Sequence, residues 1–67
     1  MDKQKLAEFH RFRKERAVEI DGIYHYKTKD EALKAQQLQK AWWGDNLICL
    51  GIKEKNGLYV PQFNLFD

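Results

Sequence analysis

The chain has 67 residues, 33% charged and 43% hydrophobic, with 12 Lys and Arg against 10 Asp and Glu and one cysteine. That length makes one domain, residues 1–67, which buries only about 60% of the surface its unfolded form exposes and has no room for both a fold and a deep cofactor pocket. A lone cysteine excludes an internal disulfide, and a net charge of +2 is too weak a field for a dedicated nucleic-acid binder.

The charge is unevenly spread. Residues 1–17 hold six basic and three acidic side chains, a net +3, with Arg11, Arg13, Lys14 and Arg16 inside six positions. No apolar run reaches the roughly 20 residues that span a bilayer, and charges begin at Asp2, so neither a membrane segment nor a secretory leader is expected. A cytoplasmic location follows from the free thiol.

Residues 2–17 read as a basic N-terminal helix, rich in helix formers and free of Gly and Pro. Asp2 is placed to cap it, and Lys14 and Arg16 suit its negative end. Its apolar stripe is thin (Leu6, Phe9 and Phe12, with Arg13 on the same face), so the helix needs a surface to dock on, its own sheet or a partner. Residues 18–26 then turn β-branched and aromatic around Asp21-Gly22, a pair suited to the two positive φ angles of a type I′ turn. The spacing predicts a hairpin with strands near 17–20 and 23–27, the alternative being one strand bulged at Gly22.

Thr28-Lys29-Asp30-Glu31 is a capping box, which starts a second helix running from Lys29 to about Trp43. Ala32, Ala35, Leu38 and Trp42 form its core stripe, Gln36 falls outside it, and Gly44 is placed to stop it in the left-handed region. Residues 47–53 are apolar at both alternating sets of positions, which predicts a central strand buried on both faces, with Cys49 inert in its interior. Asn56-Gly57 marks a second hairpin, returning through Leu58, Tyr59 and Val60. Pro61 ends the last strand or sits at an edge. The expected fold class is α+β in the order α-β-β-α-β-β. It is a small two-layer sandwich in which residues 18–67 form one antiparallel sheet of three to four strands crossed by the second helix.

Chemical constellations are sparse. His10, His25 and Cys49 lack metal-ligand spacing, and the two histidines read as surface residues, so no metal or other cofactor is expected. There is no serine, the one threonine is a cap, and an apolar setting leaves Cys49 without activation. Glu19 and Asp21 flank a turn where Asp has its own structural reason to be. No phosphate-cradling glycine motif occurs. These absences point to a non-enzymatic protein.

Binding is the stronger theme. Arg11, Arg13, Lys14 and Arg16 with Phe12 can face a protein partner, or follow a phosphate backbone as a nucleic-acid regulator. Neighbouring helical residues point about 100° apart, so Trp43 cannot share the core with Trp42; it covers the core edge or anchors an interface. The tail residues Phe63 and Phe66 pose the same choice, and a shared exposure with Trp43 would mark a partner or homo-oligomer surface.

The stretch Tyr26-Lys27-Thr28-Lys29-Asp30-Glu31-Ala32-Leu33 at the helix start, followed by a strand and hairpin, is similar in outline to small phage and prophage accessory proteins. Among them is the T7-type inhibitor of bacterial RNA polymerase, with a comparable Thr-x-Asp-Glu-Ala-Leu start. The likeness spans about 40 residues in outline and eight at the motif, and leaves out the basic helix and the Trp42-Trp43 pair. It implies a class: non-catalytic proteins that bind and modulate a larger machine of the host, in the host cytoplasm.

Overall fold

The computed structural model describes residues 2–65. Helix α1 spans Lys3–Arg16, strands β1 and β2 span Val18–Ile20 and Ile23–His25, helix α2 spans Lys29–Trp43, and strands β3 and β4 span Leu47–Lys55 and Leu58–Leu65. The class is α+β in the expected order.

Both helix starts are capped by side chains. The Asp2 carboxylate accepts the amides of Gln4 (3.0 Å) and Lys5 (3.2 Å). Thr28 Oγ1 accepts the amide of Glu31 at 3.1 Å and donates to the Glu31 carboxylate at 3.2 Å, closing the capping box through the side chains. Gly44 ends α2 with φ 120° and ψ −167°, outside the left-handed helical region expected for it and in backbone space that only glycine enters cheaply. Both hairpin turns have the type I′ signature: Asp21 and Gly22 at φ 53° and 78°, Asn56 and Gly57 at 55° and 78°.

The expected single sheet is two. β1 pairs with β2, and β3 with β4, each antiparallel; one bridge, Tyr26 to Tyr59, joins the pairs. The Tyr26 and Tyr59 amides each donate to the other's carbonyl at 2.8 Å, and among the described residues no further backbone bond links the hairpins. Pro61 explains the break. In an antiparallel ladder every second residue pair exchanges hydrogen bonds, so after Tyr26 and Tyr59 the next such pair would be Tyr24 with Pro61. Pro61 has no N–H to offer. The same alternation counted from the Asn56-Gly57 turn puts Ile52 and Pro61 in a pair that exchanges none, so the ring leaves the β3–β4 ladder intact. Pro61 thus neither ends β4 nor weakens its pairing with β3. It blocks the edge facing β2.

The second hairpin has its own irregularity. Leu47, Ile48 and Cys49 pair with Leu65, Asn64 and Phe63, whereas Ile52 pairs with Pro61, so Leu50 and Gly51 oppose Gln62 alone. This β-bulge spoils the ladder locally. Gln36 of α2 repairs it: its Nε2 donates to the carbonyls of Leu50 (2.7 Å) and Gln62 (3.1 Å). Gln36 is only 5% exposed, at a position that the apolar stripe of the helix does not include.

The core is small and sits between the helices and the bridge. Phe9, Tyr26, Ala32 and Ala35 are its buried members, with Phe12, Leu38, Trp42, Ile52 and Tyr59 packed round them. α1 therefore docks on its own fold through Phe9 and Phe12. β3 is not buried on both faces: Leu47 is buried and Ile52 half-buried, whereas Ile48, Leu50 and Cys49 are exposed. A two-stranded ribbon has helices on one face only, and the bulge at Leu50 and Gly51 breaks the alternation, so Ile48, Cys49 and Leu50 all meet water. Conversely His25, expected at the surface, is buried, its Nδ1–H donating to the Ile23 carbonyl at 2.9 Å.

Candidate functional site

The gap that Pro61 opens is a cleft. β2 and β4 part beyond the Tyr26–Tyr59 bridge, and between them lies an open space of about 640 Å³. Gly22, Ile23 and Tyr24 line one side, and Val60, Pro61 and Phe63 the other. α1 contributes Leu6, Phe9, His10 and Arg13 to the lining, and α2 contributes Ala35, Gln39, Trp42 and Trp43. Such a space was not expected of 67 residues. It exists because the two hairpins fail to merge, not because a large core has been hollowed out.

Six of the fifteen lining residues are Phe, Tyr or Trp, and they supply the largest side chains of the walls. The Phe9 and Trp42 rings lie 6.0 Å apart, and those of Trp42 and Trp43 5.1 Å. Trp43 is 37% exposed, so the pair splits as helical geometry requires: Trp42 packs on the core and Trp43 forms the rim. The indole N–H of Trp42 is buried and has no acceptor among the described residues. An orphaned donor of this kind costs about 1–3 kcal/mol until an acceptor reaches it.

One cation is fixed in this wall. The Arg13 guanidinium lies 4.3 Å from the centroid of the Tyr24 ring and 5.3 Å from that of Phe9, and it donates to His10 Nδ1 at 2.9 Å. Held against two aromatic faces, it is pre-organised in a partly apolar setting where charge interactions are stronger than in water. No carboxylate belongs to the cleft lining.

The other expected binding residues are scattered. At about 100° per residue, Arg11, Arg13, Lys14 and Arg16 fall at about 0°, 200°, 300° and 140° round the helix, so they form no single basic stripe. Arg11 and Arg16 flank a separate hollow with Glu8 and Glu15, and Arg16 lies 3.8 Å from the Glu31 carboxylate. Phe12 is half-buried and stacks on Tyr26, with ring centroids 6.0 Å apart. Of the candidates, the cleft gathers Arg13, Trp43 and Phe63; Lys14 stands at its flank with His10 and Tyr24. Phe66 lies outside the described residues.

Tyr24, Tyr26 and Pro61 complete the cleft, although none of them is among the expected protein-contact residues. Burial pushes the Tyr26 hydroxyl up to about 12, despite the opposing charge of Arg13, so it stays neutral throughout the ordinary range. The Tyr59 hydroxyl is raised by the Glu54 carboxylate beside it on the neighbouring strand. Among the described residues no three His, Cys, Asp or Glu side chains gather as metal ligands, and no helix is long and apolar enough to cross a membrane. No family model, curated protein or solved structure matches the chain.

Proposed function

We propose that this chain is a non-enzymatic binding protein that occludes a surface of a larger protein partner, with the cleft between the hairpins as its contact region. The observation that carries the reading is an open space of about 640 Å³ with aromatic walls and one guanidinium fixed in them. Large rigid aromatics and Arg are the residues that dominate protein interfaces energetically. Trp43 at the rim serves as the anchor, Arg13 supplies the charge, and Phe63 extends the contact along β4. The likeness of residues 26–33 to small phage accessory proteins supports a modulator of host machinery acting in the cytoplasm. The spread of Arg11, Arg13, Lys14 and Arg16 round α1 weighs against a nucleic-acid partner, which a continuous basic surface would favour.

The test is affinity capture from bacterial lysate, followed by reconstitution of the captured protein from purified components. The proposal expects a stoichiometric partner whose binding falls at least tenfold with Trp43→Ala and again with Arg13→Glu. A partner bound equally by both variants, or none at all, would contradict it.

A further inference from the structure

The backbone beside the cleft has an unfinished edge. The Asp21-Gly22 turn closes on Ile20 and Ile23, which makes Glu19 and Tyr24 the pair that exchanges no hydrogen bonds within the hairpin. The Tyr24 N–H and C=O therefore point away from β1, on the edge where Tyr26 already meets Tyr59. Opposite them stands Pro61, which cannot donate, and no backbone bond joins Tyr24 to β4. A strand edge with a donor and an acceptor free, beside an apolar cleft, is the arrangement that recognises an extended peptide by strand addition.

The side chains bordering this edge select what can bind. Arg13 lies over the Tyr24 ring, its guanidinium held by His10; the cleft lining carries no carboxylate, and Glu19, in the adjoining hollow with Arg13 and Lys14, makes no ion pair with it among the described residues. Trp43 and Phe63 offer apolar surface on the far side. Resting on the reading of the cleft as a protein-contact region, we infer that the partner presents an extended acidic segment. That segment would pair its backbone with Tyr24 at the β2 edge, insert an apolar or aromatic side chain among the aromatic walls, and place a carboxylate on Arg13.

The probe is the synthetic peptide acetyl-Glu-Val-Phe-Val-Glu-amide, with acetyl-Lys-Val-Phe-Val-Lys-amide as its charge-reversed control. Binding is followed by the fluorescence of Trp42 and Trp43 and by the Tyr24 amide resonance. The acidic peptide should bind saturably, and at least fivefold more weakly both in the charge-reversed form and to Arg13→Gln. N-methylation at successive peptide positions should abolish binding at one position and spare its two neighbours, because Tyr24 is the one residue of β2 with a free carbonyl on this edge and adjacent peptide N–H groups point to opposite sides. Equal binding of the two peptides, loss of binding on N-methylation at adjacent positions, or no saturable response would overturn the inference. So would a fluorescence change that tracks protein concentration without peptide, since a second copy would then be the occupant. If the peptides fail while the captured partner still depends on Trp43, strand addition is wrong and the binding reading stands. If the peptides bind while no partner is captured, the peptide site in the cleft stands and the claim of a partner in bacterial lysate is what fails.

Discussion

The two hairpins begin from nearly the same instruction and end differently. Both turn on a two-residue pair ending in Gly, with φ near 55° and 78°. The Asn56-Gly57 hairpin continues for nine residues in β3 and eight in β4. The Asp21-Gly22 hairpin stops at three and three, with Val18, Ile20 and Ile23 all at least 40% exposed. The difference lies in what holds each one. The longer hairpin is tied to α2 by Gln36 at its bulge and by Lys40, whose ammonium donates to the Leu47 carbonyl. The shorter is tied by the Tyr26–Tyr59 bridge and by Arg13 lying on Tyr24. Turn chemistry starts a hairpin, but its tethers to the rest of the fold set how far it extends and how rigid it is.

Substitutions can break this contrast. The largest effect should come from Tyr26→Ala, which empties the core and frees the shorter hairpin; denaturant unfolding should show a loss of about 3–5 kcal/mol. Gln36→Ala should cost about 1–3 kcal/mol, because the two bulge carbonyls lose their donor. Its spectral changes should concentrate in β3 and β4, with the first hairpin little affected. Thr28→Ala removes the α2 cap and should cost about 1 kcal/mol, a control that touches neither hairpin.

A pH series sharpens the comparison at the joint. Because the folded-state Tyr26 hydroxyl is raised to about 12 from the usual 10, the folded state holds its proton more tightly than the unfolded chain. Its contribution is complete below pH 10 and is lost as the pH rises from 10 toward 12. Tyr26→Phe should remove that part of the alkaline destabilisation, read as the difference between the two proteins' stability profiles.

The smallest net effect on stability should be that of Pro61→Val. The new N–H can donate to the Tyr24 carbonyl, worth about 0.5–1.5 kcal/mol. Removing proline releases unfolded-chain entropy that costs about 0.4–1 kcal/mol. The two nearly cancel, so the informative readout is the β2–β4 distance in solution, which should shorten as the cleft narrows.

Much of this was legible in the sequence wherever a residue's role is local. Asp2 and the 28–31 capping box place the helix starts, and the two turn pairs place the hairpins, because each motif satisfies backbone groups a few residues away. The features that required non-local knowledge were harder. The apolar alternation of residues 47–53 suggested a strand covered on both faces, but how many layers cover a ribbon is a property of the assembled fold. Gln36 falls outside the apolar stripe of α2, and only the bulge at Leu50 and Gly51 gives its amide a buried task. Pro61 reads as a strand end or an edge residue; β4 runs on past it, and which edge it blocks depends on the register set by the turn at residues 56 and 57. Arg11, Arg13, Lys14 and Arg16 clustered in the sequence, yet 100° per residue disperses them.

Amide hydrogen exchange at Tyr24, Tyr26 and Tyr59 tests the central claim, an unfinished ladder between the hairpins, most directly. The account predicts slow exchange at Tyr26 and Tyr59, whose amides are bonded to each other's carbonyls, and fast exchange at Tyr24, two residues along the same edge. Protection of Tyr24 equal to that of Tyr26 would mean that the two sheets are continuous past Pro61, and would contradict it.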